Sequence, residues 1–230
     1  MKYKNTFSAT FLERQNRFIA IVEIDGCREM VHVKNTGRLN ELLHPGAPVI
    51  LEKTDNPARK TRYDLIAVYK IGTGWVNIDS QAPNAIVKEW LLSQSSFFGK
   101  LTFIKPEYKF GKSRVDFYLE CGMRKILLEL KGCTLEIDGK GYFPDAPTDR
   151  GVKHLRELTE AVRKGFECYI AFVITIPGVD QVYPNVKRHP EFGVALEEAV
   201  KAGVKILYLT CEVGPDELQI TDCKCSVAAE

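Results

Sequence analysis

Residues 126–135 read ILLELKGCTL, an apolar strand-forming run broken by a glutamate and a lysine two positions apart. A strand has a side-chain period of two, so Glu129 and Lys131 share one face, with Cα atoms roughly 6.5–7 Å apart. Leu128 and Leu130 then point to the other face, into a core. A carboxylate buried without a partner costs several kcal/mol, so Glu129 requires compensation. Asp116 lies on the preceding strand-like segment, SRVDFYLE, which a turn at Gly122–Met123 joins to ILLELKG. Antiparallel pairing across that turn brings Asp116 beside Glu129. Two adjacent carboxylates repel unless one is protonated or a cation lies between them. Mg²⁺ or Mn²⁺ suits such hard oxygen ligands. An ion pair between Glu129 and Lys131 at a sheet edge is the competing reading of the same residues.

Outward from this stretch, the chain divides at about residue 80. Residues 1–80 carry five strand-like segments, TFSATFLER, RFIAIVEID, REMVHVK, APVILEK and YDLIAVYKI, punctuated by Gly26, Asn35–Gly37, Pro45–Gly46 and Asn56–Pro57. Only RLNELL, residues 38–43, reads as helical. Five strands and a small helix in so short a span predict an OB-like β-barrel, with an SH3-like barrel as the rival. Residues 81–230 change texture. A helix is expected from an N-cap at Asn84, with Ile86, Val87, Trp90 and Leu91 at helical spacing. Three strands follow, then a helix over about 150–164, the apolar strand ECYIAFVITI, a helix EFGVALEEAVKA and the strand KILYLTC. This order predicts an α/β sandwich, giving a two-domain α/β (α+β) chain overall.

Bulk properties set the class. With 45% hydrophobic and 27% charged residues, the composition is that of a globular protein. No apolar run approaches the roughly 18–20 residues of a membrane-spanning helix, and the basic N-terminus lacks the apolar core of a secretory signal. The seven cysteines are scattered, several inside apolar runs. Such spacing predicts reduced thiols in a cytoplasmic protein rather than a disulfide framework. Cys211, Cys223 and Cys225 could supply three thiolate ligands for zinc, but no second C-x-x-C or nearby histidine completes the set. The net charge of +2 is split mildly: residues 1–79 hold 12 basic against 9 acidic residues. That makes the first domain the more favourable surface for a polyanion.

The order Asp116, thirteen residues, then Glu129-x-Lys131 resembles the PD-(D/E)xK nuclease superfamily. The resemblance implies that Asp116, Glu129 and the backbone carbonyl of Leu130 hold Mg²⁺ or Mn²⁺ and that Lys131 positions or activates water. Glu89 is a possible additional acidic ligand. Downstream, Asp149 or Thr148 caps the helix that presents Arg150, Lys153 and His154 on one side, a favourable place for phosphate. FPDAPTDRGVKHLREL, SRVDFYL, ELKGCTL and VHVKNTGRLNELLHPG together resemble the sugar fermentation stimulation protein (SfsA) family, over about residues 10–210. That resemblance implies an OB-like domain followed by a restriction-endonuclease-like α/β/α sandwich, DNA binding, and a regulatory role in sugar metabolism. It picks out Asn35, Thr36, Gly37, Asp116, Glu129, Lys131, Asp145, Arg150, Lys153 and His154. The chain departs from the pattern at Val115, where the superfamily has proline, and at Gly132–Cys133 and Val33–Lys34.

An OB barrel suggests further contacts to nucleic acid. Arg14 and Arg17 flank the first hairpin, and NPARKTRYD places Arg59, Lys60 and Arg62 on another, beside Tyr63. A solvated hairpin is the equal alternative there. Asn35 or Thr36 is expected to cap RLNELL, with Gly37 permitting the turn. Three functional readings remain open: a DNA-binding protein that hydrolyses phosphodiesters, a DNA-binding module without turnover, and a sensor of a small phosphorylated ligand at the Arg150 helix start.

Overall fold

The computed structural model describes residues 1–93, 97–111 and 113–226. Its first part contains β1 (Thr6–Arg14), β2 (Ile19–Ile24), β3 (Cys27–Val33), β4 (Pro48–Lys53), β5 (Tyr63–Lys70) and β6 (Gly74–Asn77). The sheet order is β3-β2-β1-β4-β5-β6, and β3 also pairs with β5 in parallel, which closes five strands into a barrel. Bulges at Leu12 on β1, between Phe11 and Glu13, and at Ile66 on β5, opposite Ile50–Leu51 of β4, supply the curvature that closure needs. Phe11, Val22, Val31, Leu51 and Leu65 fill the interior. The barrel is the OB type expected. β6, which reads as the tail of the domain in sequence, extends the sheet beyond it.

RLNELL does not form a helix. Leu39 takes φ +53 and its carbonyl accepts from Leu42 and Leu43, so the segment is a single turn. A left-handed residue at this point interrupts helical propagation. Asn35 therefore caps no helix. Its Oδ1 accepts from the Gly37 amide at 2.7 Å, and its Nδ2 donates to the Ile78 carbonyl at 2.8 Å.

The second part runs α1 (Ala82–Leu92), β7 (Phe103–Phe110), β8 (Ser113–Cys121), β9 (Arg124–Cys133), β10 (Leu135–Ile137), β11 (Lys140–Phe143), α2 (Asp149–Arg163), β12 (Glu167–Ile174), β13 (Val182–Pro184), α3 (Pro190–Lys201), β14 (Lys205–Val213) and β15 (Leu218–Ser226). Its main sheet has the order β15-β14-β12-β9-β8-β7. β9, β12 and β14 are parallel, and β7, β8 and β15 add antiparallel flanks. Alternation on the central strands builds two cores. Leu127, Cys168, Ile170 and Phe172 pack with Leu155, Leu158 and Phe192 of α2 and α3. Ile126, Leu128, Leu130, Tyr169 and Ala171 pack with Ile86, Val87 and Leu91 of α1. The result is an α/β/α sandwich.

Strands β10, β11 and β13, short and unforeseen in the sequence, form a separate three-stranded sheet. It carries the loop to α2, which contains a cis Phe143–Pro144 bond. The two parts share one apolar cluster running from the barrel interior to the α2 face. Thr175 Oγ1 donates to the Asn77 carbonyl at 2.8 Å, and Lys70 pairs with Glu136 across the same boundary.

Candidate functional site

The charged pair in β9 faces α2. β8 and β9 pair antiparallel from Cys121↔Arg124 to Phe117↔Leu128. The next opposed positions in that register are Asp116 and Glu129, and there the ladder ends. Asp116 takes over the hydrogen bonding: its Oδ2 accepts from the Leu130 amide at 2.7 Å. Its Oδ1 accepts from Asn84 Nδ2 at 2.8 Å. Leu130 thus enters the cluster through its amide.

Glu129 is 2% exposed. Its Oε1 accepts from Lys131 Nζ at 2.5 Å and from His154 Nδ1. Arg150 Nε donates to His154 Nε2 at 3.3 Å, so that nitrogen is the acceptor and the imidazole proton sits on Nδ1, facing Glu129. The second carboxylate oxygen, Glu129 Oε2, is buried and has no hydrogen-bond partner. Burial opposes ionisation of Glu129, but Lys131 and His154 outweigh it and hold the carboxyl below its ordinary range. Asp116 moves the other way: burial, then the negative charge of Glu129, raise its pKa above the ordinary value. One carboxylate is compensated and the other is strained electrostatically. An orphaned anionic oxygen beside a second, repelled carboxylate is a donor set that a divalent cation fits.

Among the described residues, no group of three or more His, Cys, Asp or Glu side chains is arranged to hold a metal. An ion here would therefore use two carboxylates, main-chain oxygen and retained water, the habit of Mg²⁺ and Mn²⁺ rather than zinc. The cysteine set does not converge: Cys211 is buried opposite Ile220, while Cys223 and Cys225 lie opposite Leu209 and Leu207 on β15.

Asp116, Glu129, Leu130, Lys131 and His154 are brought together, with Arg150 one hydrogen bond behind. His154 is buried, a correction to its expected place beside Arg150 and Lys153 on an accessible phosphate-binding face. It points inward because Glu129 occupies the sheet beneath it. Thr148 caps α2, its Oγ1 accepting from the Gly151 amide at 3.0 Å. Arg150 and Lys153 are exposed and line an open groove of about 740 Å³ with Lys109 and Arg114 of the β7–β8 hairpin and with His154. Glu107 and Asp149 also reach it.

Other expected contributors sit elsewhere. Glu89 is 2.7 Å from the N-terminal amine, on the flank of α1 nearer β15, and does not join the cluster. Arg14 donates to the backbone carbonyls of Asn16, Arg17, Asn35 and Arg38, tying the 35–38 loop to the barrel instead of presenting a free cation. Arg59 forms a two-pronged pair with Asp64 at 2.5 and 2.9 Å, and His32 and Lys34 converge on the same aspartate. Arg62 is likewise clamped to Glu29 at 2.9 and 3.1 Å. Both side chains serve the barrel's own ion pairs. Lys60 and Arg17 are exposed. Asp145 Oδ2 accepts from the Leu39 amide at 3.1 Å, so the NTG segment and the FPDAPT loop meet.

Sequence reasoning missed Asn84 as a site residue, because it was assigned the N-cap that Gln81 in fact occupies. The signal was available: Asn84 stands one turn before Val87, on the stripe that faces the sheet. It also missed Lys109 and Arg114, whose relation to α2 depends on sheet order.

Two family models match the chain: the SfsA N-terminal OB domain over residues 12–78, and the sugar fermentation stimulation protein RE domain over residues 81–217. A sugar fermentation stimulation protein homolog of Desulfitobacterium hafniense is 53% identical over 222 residues, covering 96% of each chain. One of Clostridium beijerinckii is 50% identical over 222 residues, covering 96% of this chain and 97% of the relative. Among solved structures, Pyrococcus furiosus SfsA in complex with Ca²⁺ superposes with a TM-score of 0.85 at 31% identity, over 97% of this chain and 96% of that one.

Proposed function

Because the chain belongs to the sugar fermentation stimulation protein family, we propose that it is a DNA-binding protein whose Asp116–Glu129 pair holds Mg²⁺ or Mn²⁺ and hydrolyses phosphodiesters. The observation that carries this reading is Glu129 Oε2, a buried carboxylate oxygen with no partner, beside a second carboxylate of raised pKa. The Ca²⁺ complex of the Pyrococcus furiosus relative supports it, since Ca²⁺ also takes oxygen ligands.

When bound, the ion would supply positive charge to the phosphoryl oxygens as they gain negative charge. The chain's own residues do the rest. His154 and Lys131 both engage Oε1 of Glu129, which leaves Oε2 for the cation. Lys131, anchored 2.5 Å from Glu129, orients the attacking water and offsets charge on the phosphate. Arg150, Lys153, Lys109 and Arg114 draw the phosphate backbone along the groove. Lys60 and Arg17 are further exposed cations on the barrel. The seven free thiols support a cytoplasmic location. The family's name supports a regulatory link to sugar metabolism.

A second reading, a DNA-binding module without turnover, is favoured by one observation: Lys131 already neutralises Glu129 without any ion. Incubation of the purified protein with single- and double-stranded DNA and Mn²⁺ decides between them. Cleavage by the wild type and its loss in Asp116→Asn supports hydrolysis. Binding without cleavage assigns the protein to the second reading.

A further inference from the structure

A second cavity lies beside the carboxylate cluster, between the barrel and the second domain. Its volume is about 300 Å³, at the small end of pockets that enclose organic ligands. The barrel contributes Arg17 and Thr36 to its wall, and the second domain contributes Thr134, Tyr142 and Asp145. The two sides are held in register by the Leu39 amide on Asp145. A Cβ added at Gly37 would lie 2.7 Å from Asp145 Oδ2, so the close approach of the two loops needs glycine. Two further wall residues, Gly132 and Pro83, are the sequence neighbours of Lys131 and Asn84. The cavity wall is thus one residue along β9 and along α1 from the carboxylate cluster, although Asp116, Glu129, Lys131 and His154 do not themselves line it.

Its chemistry is specific. The side chains of Arg17, Thr36, Thr134 and Tyr142 make no hydrogen bond to any described residue. Pro83 offers flat apolar surface, and Tyr142, whose ring lies 6.0 Å from that of Tyr183, adds aromatic character to the wall. Asp145 supplies the interior's uncompensated carboxylate, since the buried Asp79 is paired with Lys34 at 2.7 Å. The Asp145 carboxylate repels a phosphate, while the exposed Arg17 attracts one to the rim. The arrangement suits a group that is flat, carries hydrogen-bond donors, and is attached to a phosphate that remains outside.

We propose that this cleft receives the base of one unpaired nucleotide, with its phosphates left outside between Arg17 and the Lys131 cluster. The proposal rests on the nucleic-acid reading above and narrows it: the substrate has an unpaired nucleotide at the site of action, as in single strands, flaps or junctions, and is not uninterrupted duplex. Asp145 accepts hydrogen bonds from exocyclic amines, so adenine, cytosine and guanine are favoured over thymine.

The test uses the full-length protein in chelator and a single-stranded oligonucleotide carrying one 2-aminopurine. The same base in a complete duplex and as the free deoxynucleoside monophosphate are the comparison arms. A fluorescence change with the single strand, and affinity about ten-fold above the duplex, is expected. Tyr142→Ala and Thr36→Trp should each weaken single-strand binding by about ten-fold, with Mn²⁺-induced stabilisation unchanged. Thr36 is exposed, so its tryptophan variant blocks the cleft without disturbing the core and decides the matter if Tyr142→Ala fails to fold. Equal binding of strand and duplex without a fluorescence change, or wild-type binding by the Thr36→Trp protein, overturns the proposal. A response to the free monophosphate alone also overturns it. Normal single-strand binding with no Mn²⁺-dependent cleavage retains the cleft and rejects the hydrolytic reading.

Discussion

Replacing Asp116 by asparagine separates a functional carboxylate from a structural one. In the absence of metal, burial and the adjacent Glu129 charge raise the Asp116 pKa. The folded state therefore holds a proton that the unfolded chain has released, over the window between the ordinary value and the raised one. Stability in chelator falls as pH rises through that window and stays reduced above it. Opposed residues on neighbouring strands lie about 5 Å apart, where two like charges at an effective dielectric of about 20–40 repel by about 2–3 kcal/mol. Lys131 and the two hydrogen bonds to Asp116 offset much of this, leaving about 1 kcal/mol. An asparagine keeps an acceptor for the Leu130 amide, and Asn84 can turn its own amide to accept from the new NH₂. Asp116→Asn should therefore be as stable as the wild type in EDTA near neutral pH, or more stable by up to about 1 kcal/mol. It should also lose the pH slope. With Mn²⁺ at about 100 times its dissociation constant the wild type gains about 2.7 kcal/mol and the variant almost nothing. Urea unfolding with and without Mn²⁺ measures both. A variant destabilised by more than about 2 kcal/mol in EDTA that still responds to Mn²⁺ would refute the reasoning.

Other perturbations reach different parts of the molecule. Lys131→Met should retain Mn²⁺ binding by calorimetry while cleavage falls by about 10²-fold or more; unchanged cleavage would remove the lysine from the chemistry. Arg150→Ala with Lys153→Ala should weaken DNA binding and reduce the slope of log K against log salt by about 2. Arg59→Ala, by contrast, removes the two-pronged partner of the buried Asp64 and leaves it His32 and Lys34, so it should cost about 1–3 kcal/mol of stability in urea without changing that slope. Glu167 is opposed by burial but held down to about 2 by Arg124, Lys205 and Tyr169. Its stabilisation is present above the unfolded value of 4.5 and is lost as pH falls toward about 2. Glu167→Gln should thus cost about 1–3 kcal/mol near neutral pH, allowing for solvent screening, and nothing near pH 2.

What could be read from the sequence was whatever depends on local period. Alternation in ILLELKG placed Glu129 and Lys131 on one face and Leu128 and Leu130 on the other, and the structure has them so. The five barrel strands were legible for the same reason. RLNELL has helical spacing that is overridden at one residue: Leu39 adopts a left-handed conformation while its amide serves Asp145, 106 positions away. Arg14, Arg59 and Arg62 looked like a polyanion surface because their partners, backbone carbonyls and the carboxylates of Asp64 and Glu29, are set by strand pairing. Helical spacing groups His154 with the exposed Arg150 and Lys153, because the buried glutamate beneath it lies on another element. Local pattern specified which residues are charged, and tertiary pairing decided which charges are spent on the fold.

The most direct measurement is cleavage of a radiolabelled single-stranded and a double-stranded DNA by the wild type, Asp116→Asn and Glu129→Gln, each with Mn²⁺ and with EDTA. Metal-dependent cleavage by the wild type alone is expected. No cleavage of either DNA under any condition, or equal cleavage by all three proteins, would contradict a catalytic role for the two carboxylates.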